Sequence, residues 1–117
     1  MAKILFILND APYGSERTYN GLRLAGAIAK RADQQVKIFL MGDAASCAKA
    51  NQKVPQGFYS VELMLRAPAR HGTEIGVCGT CMDARGIAEG ELMQDAHRGT
   101  LEQLADWSIW ADQTLVF

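Results

Sequence analysis

Apolar residues along this chain fall into two rhythms that alternate from one end to the other. Lys3–Leu8 carries the unbroken run Ile4-Leu5-Phe6-Ile7-Leu8. A continuous run of this length predicts a strand covered on both faces. Gln35–Met41 repeats the signal through Val36, Ile38, Phe39 and Leu40. Glu74–Val77 reads as a shorter third strand and Gln113–Phe117 as the last.

Helical spacing fills the intervals. Tyr19, Leu22, Ala25 and Ile28 form a stripe, predicting a helix that runs to about Arg31. Ser15 is placed to cap it, and Glu16 suits the positive end of its dipole. A short helix is expected over Ala44–Ala50, then a polar loop over Asn51–Gly57 containing Pro55. Phe58–His71 is helical through Val61, Leu63, Met64 and Leu65, and Pro68 should kink or restart it near its end. Thr100-Leu101-Glu102-Gln103 has the capping-box spacing and opens a helix carrying Leu104, Trp107 and Trp110. Ile87–Arg98 has no clear period; a short helix followed by a loop or small strand at Leu92-Met93 is expected there.

Strands separated by helices predict a single α/β domain over residues 1–117. The expected architecture has three layers: a mainly parallel open sheet with helices on both faces, in flavodoxin- or Rossmann-like order. In such sheets chemistry gathers beyond the carboxyl ends of the strands, near the topological switch. Three polar loops leave those ends: Asn9-Asp10, Gly42-Asp43 and Cys78-Gly79-Thr80-Cys81.

Composition narrows the function. A net charge of −1 leaves no electrostatic footprint for nucleic acid. The opening apolar run of five residues falls short of a signal-peptide core, roughly 7–15 residues, and of a membrane span, about 20. The expected compartment is therefore the cytoplasm. Three cysteines there do not read as a disulfide framework but as redox, sulfur-carrying or metal-binding thiols.

The chemistry concentrates in Cys78-Gly79-Thr80-Cys81. Thiolates are the reactive form of cysteine, and the N–H groups of Gly79, Thr80, Cys81 and Met82 are placed to favour an anion on Cys78. Arg85 adds positive charge nearby and Asp83 opposes it. Gly79 permits a turn tight enough for the two sulfurs to meet. One thiolate could then hold sulfane sulfur while the other resolves it through a disulfide.

Rival readings remain open on the residues alone. The pair could be packing or metal-binding thiols of a non-enzymatic oligomeric module, or a dithiol–disulfide redox couple. For zinc, Cys47, His71 and His97 stand at no ligand spacing, leaving only a site shared between subunits. A thioredoxin-like site usually follows the first strand of its fold, whereas this pair follows the third. Neither G-x-G-x-x-G nor a Walker A lysine loop is present, and no cofactor is expected. Asn9, Asp10 and Asp43 are expected to line a pocket with the thiols; Cys47 reads as packed, and His71 and His97 as surface residues.

These residues together resemble a known family. The opening K-I-L-F-I-L-N-D, the M-G-D after the second strand, V-C-G-T-C-M-D-A-R-G after the third and the closing A-D-Q-T-L-V-F are similar to the DsrE/DsrF-like family. The resemblance covers essentially the whole chain, and C-G-T-C-x-D-A-R-G is its most specific part. It implies a small α/β protein, assembled as a homotrimer or homohexamer, working in intracellular sulfur relay. It further implies that Cys78 stands where family members accept sulfane sulfur from a TusA-like carrier protein. Cys81 is not shared by the single-cysteine carriers.

Overall fold

The computed structural model describes residues 1–117, and the strands are the first thing the apolar runs explain. They are β1 (Ala2–Leu8), β2 (Gln34–Leu40), β3 (Glu74–Cys78), β4 (Ala96–Gly99) and β5 (Gln113–Val116). All pairings are parallel, in the order β4-β3-β2-β1-β5. The helices are α1 (Arg17–Ala29), α2 (Val61–Ala69), α3 (Gly79–Ala84) and α4 (Leu101–Trp110).

The strand order explains the layering. From β1 to β4 the chain steps in one direction, and from β4 it crosses back over β3, β2 and β1 to β5. Right-handed crossovers taken in opposite directions place their helices on opposite faces. One face accordingly packs Ile4, Phe6, Leu8, Ile38, Leu40, Ile75 and Val77 against Leu22 and Ala25 of α1, Val61 and Leu65 of α2 and Met82 of α3. The other packs Leu5 and Phe39 against Leu104 and Trp107 of α4 alone. Phe39 meets Trp107 edge to face at 5.9 Å, worth about 0.5–1.5 kcal/mol beyond simple burial. A single ten-residue helix does not cover that face, and Leu101, Ile109 and Val116 remain exposed.

Several local expectations change. Glu16, not Ser15, is the residue before α1, and no side chain caps that helix. The Ser15 hydroxyl, two residues before α1, donates to the Asp10 carboxylate at 2.8 Å and accepts the Arg17 N–H at 3.4 Å. Helix α2 starts only after Ser60, whose hydroxyl accepts the Leu63 N–H at 3.3 Å. Pro68 sits inside its last turn, and the helix stops one residue later. The short helix expected over Ala44–Ala50 is a 3-10 segment over Gly42–Ala48, with Ala44, Ala45, Cys47 and Ala48 buried. The capping box at Thr100 is half present: its hydroxyl accepts the Gln103 N–H at 3.1 Å, while the Gln103 amide turns to His97.

The small strand lies at Ala96–Gly99 rather than Leu92-Met93. Leu92 makes only an isolated bridge to Lys49, and Met93 is core. The four residues Ala-His-Arg-Gly of β4 carry no apolar alternation because the strand lies at the sheet edge, where little of it is buried.

Candidate functional site

Strand β3 ends at Cys78 and α3 begins with the next residue, so the thiol sits at the junction. Register pairs Cys78 with Gly99, at the carboxyl end of both strands. The topological switch lies elsewhere, between β2 and β5 at β1. The thiols thus occupy the expected edge of the sheet but two strands away from the switch.

Cys78 and Cys81 are free thiols, both partly exposed. Burial pushes the Cys78 thiol up, but the adjacent Cys81 thiol, the Thr80 hydroxyl and the backbone N–H groups of Cys81 and Thr80 outweigh it. The net result holds Cys78 below the ordinary thiol value. Its sulfur and the Thr80 hydroxyl oxygen stand 3.3 Å apart. Cys78 is the residue before α3, and its side chain makes no cap hydrogen bond to that helix.

Cys81 behaves oppositely. Burial and the hydrogen bond it gives to Cys78 raise its thiol, partly offset by the Gly42 N–H and by the Arg85 charge. The Gly42 N–H reaches the Cys81 sulfur at 3.1 Å, from a residue at φ +55° that favours glycine. The two thiols therefore titrate as a pair in which Cys78 ionises first.

Charged neighbours are arranged differently from the sequence expectation. Arg85 does not face Cys78; its guanidinium binds Asp43 at 2.7 and 3.2 Å and the Cys81 carbonyl at 3.1 Å. Arg85 and Asp43 thus form a bracket tying α3 to the Gly42–Ala48 segment. The cation beside Cys78 is Arg98 of β4, which binds both oxygens of Asp83 at 2.9 and 3.0 Å. Its guanidinium lies flat against Gly79, where an added Cβ would stand 2.9 Å away.

Asn9 and Asp10 stand apart from the thiols. The Asn9 side chain donates to the Phe117 carbonyl at 3.3 Å, latching the chain end. Asp10 binds Ser15 and stands 3.9 Å from Arg17, while its backbone carbonyl accepts from Thr18 at 2.9 Å. Both serve the β1–α1 loop.

A cavity of about 460 Å³ opens beside Cys78 and Cys81, walled by Gly79, Thr80, Phe39, Met41, Arg98 and the Gly99–Glu102 segment. Sequence reasoning missed Arg98 and the start of α4 here. The Thr100 cap was legible; that it abuts the β3 end was not. A cleft of about 130 Å³ between Gln34 and Glu74 touches neither thiol.

Cys47 is fully buried, and burial pushes its thiol up to about 12. No cluster of three or more His, Cys, Asp or Glu side chains is placed to hold a metal ion. No helix is long and apolar enough to cross a membrane.

The sequence model of the DsrE/DsrF-like family matches residues 2–117. The chain belongs to the DsrE/DsrF-like family. The Escherichia coli K12 protein YchN is 38% identical over 118 residues, covering all of both chains. The crystal structure of that E. coli protein superposes with a TM-score of 0.93 over the whole of both chains. An uncharacterized Methanopyrus kandleri protein, MK0008, is 32% identical over 97% of this chain and 93% of its own. The Methanobacterium thermoautotrophicum protein MTH1491, at 7% identity and a TM-score of 0.78 over both full chains, shares the DsrE-like fold. Family membership is consistent with a sulfur-relay role.

Proposed function

We propose that this protein is a sulfur carrier or sulfurtransferase that holds a persulfide on Cys78. One observation carries the reading: Cys78 alone of the three thiols is both lowered below the ordinary value and open to a cavity. Its thiolate attacks a sulfane sulfur, the Sγ–S bond forms, and the donor's thiolate departs. Cys81, raised and adjacent, can attack the inner sulfur of that persulfide, closing a Cys78–Cys81 disulfide and releasing hydrosulfide. That second step makes Cys81 the resolving thiol and gives the site a dithiol–disulfide branch.

Assembly and partners belong to the same proposal. Leu101 at 70%, Ile109 at 85% and Val116 at 64% exposure lie on or beside the thinly covered face. Apolar exposure of this kind supports self-association, and the family resemblance points to a homotrimer or homohexamer. A TusA-like carrier protein is the proposed relay partner, and the cytoplasm the proposed compartment.

Incubation with inorganic polysulfide followed by intact mass and peptide mapping tests the acceptor. The expected result is one added sulfur on Cys78, absent from Cys78→Ser and retained in Cys47→Ser. Equal labelling of Cys78→Ser would defeat the assignment. Light scattering showing a monomer at working concentration would defeat the assembly.

A further inference from the structure

Cys81 is held at its sulfur and at its backbone by groups from outside the C-x-x-C. The Gly42 N–H donates to the sulfur at 3.1 Å. The Arg85 guanidinium donates to the Cys81 carbonyl at 3.1 Å. That guanidinium also binds Asp43, the residue after Gly42, at 2.7 and 3.2 Å. The contacts close a ring through Gly42, Asp43, Arg85 and Cys81, joining α3 to the Gly42–Ala48 segment. A donor aimed at the sulfur and a cation bound to the same residue both favour a thiolate there.

We propose that Arg85 is a positioning residue for the discharge of bound sulfur: with Asp43 and Gly42 it holds Cys81 ready as the attacking thiolate. It thereby sets how much sulfur leaves as hydrosulfide rather than passing to a carrier protein. This rests on the reading of Cys78 as the sulfur acceptor.

The two exits from the Cys78 persulfide differ in the sulfur attacked. A carrier's cysteine thiolate attacks the outer sulfur, a new S–S bond forms on the carrier, and Cys78 leaves as its thiolate. Cys81 attacks the inner sulfur instead. The Cys78–Cys81 bond forms, the bond to the outer sulfur breaks, and its electron pair leaves with hydrosulfide. The Cys81 proton has gone to water beforehand. The outer sulfur is reduced while the two cysteines are oxidised to the disulfide, so no outside oxidant enters. Only this second exit requires Cys81 to ionise, and so only this exit depends on Arg85.

Other charged groups face Cys81 as well. Cys78 and Asp43 oppose its ionisation, Glu102 and Arg98 border the same cavity, and Arg98 is bound to Asp83. Arg85 is the cation bound to Cys81 itself.

The test loads the reduced full-length protein with inorganic polysulfide, removes the excess by rapid desalting, and follows hydrosulfide release across pH by bromobimane trapping. Mass spectrometry reads persulfide and disulfide in parallel. Cys81→Ser should keep its persulfide and release no hydrosulfide. Arg85→Gln loses the charge but keeps an amide donor. It should slow release relative to loading about two- to threefold at neutral pH, and raise the pH midpoint of release by about half a unit. Arg85→Lys restores the charge and should return the midpoint to the wild-type value.

Slowing of loading and release by one factor at every pH would overturn the inference, because a loosened α3 does that without any role in discharge. So would a midpoint in Arg85→Lys displaced as far as in Arg85→Gln. Loading of Cys78 with release indifferent to Arg85 removes this inference alone. Failure of polysulfide to load Cys78 removes the acceptor reading and this inference with it.

Discussion

Thr80→Val probes the anion stabilisation at Cys78 with little change of shape. The hydroxyl stands 3.3 Å from the Cys78 sulfur, and Thr80 is exposed in the first turn of α3, so the fold loses little. A hydrogen bond at a partly exposed site contributes about 1 kcal/mol, which lowers the thiolate fraction about fivefold. Nucleophilicity moves the other way. With a Brønsted slope near 0.4–0.5, the more basic thiolate is about twofold more reactive once formed. Exchange with a chromogenic aromatic disulfide should therefore slow about 2–3-fold at neutral pH and quicken about twofold at alkaline pH. Stopped-flow rates across pH, with the modified cysteine identified by mass, measure both limbs. Rates equal to wild type throughout would refute the hydrogen bond's role. Slowing by the same factor at every pH would indicate blocked access and refute it equally.

Other outcomes follow from the same geometry. Burial lifts the Cys47 thiol from 9.0 to about 12, so its contribution to stability is complete below about pH 9 and is lost as pH climbs towards 12. Cys47→Ala should flatten that alkaline decline by up to about 4 kcal/mol in urea unfolding, and parallel pH curves for the two proteins would contradict it. Trp107→Ala removes the main side chain between α4 and the sheet and should cost about 3–5 kcal/mol by denaturant titration; a loss under about 1 kcal/mol would show that α4 is held otherwise. Gly79→Ala drives a methyl group into the Arg98 guanidinium and should displace it from Asp83. The Cys78 titration, followed by thiolate absorbance, should then change its salt dependence, and an unaltered profile would exclude Arg98 as its neighbour.

Much of the fold was legible because burial writes a period into the sequence. Strands β1 and β2 sit between two helical layers, so both of their faces are apolar and the runs at Ile4–Leu8 and Val36–Leu40 are continuous. The thiol pair was equally legible, because a C-x-x-C at a strand end is a local feature. Strand β4 was not, since an edge strand has too few buried positions to pattern. The short helix expected over Ala44–Ala50 lies two residues earlier as a 3-10 segment over Gly42–Ala48, whose small buried residues leave no helical stripe to fix its ends.

The roles inside the site were decided by contacts between distant residues. Arg85 lies four residues from Cys81, yet its charge is committed to Asp43, 42 positions away. Arg98 reaches the thiols only because β4 pairs with β3 and sets Gly99 beside Cys78. Gly42, 39 positions from Cys81, donates its N–H to the Cys81 sulfur and so narrows the gap between the two thiols.

By itself, then, the sequence determined four of the five strands, where the thiols fall among them and what kind of sheet they form. Those properties follow from the spacing of apolar residues along a continuous chain. Tertiary structure alone decided that α4 stands by itself on its face and that Arg98 rather than Arg85 borders Cys78. Electrostatic partners and cavities depend on distances through space, and only the packed sheet sets those distances.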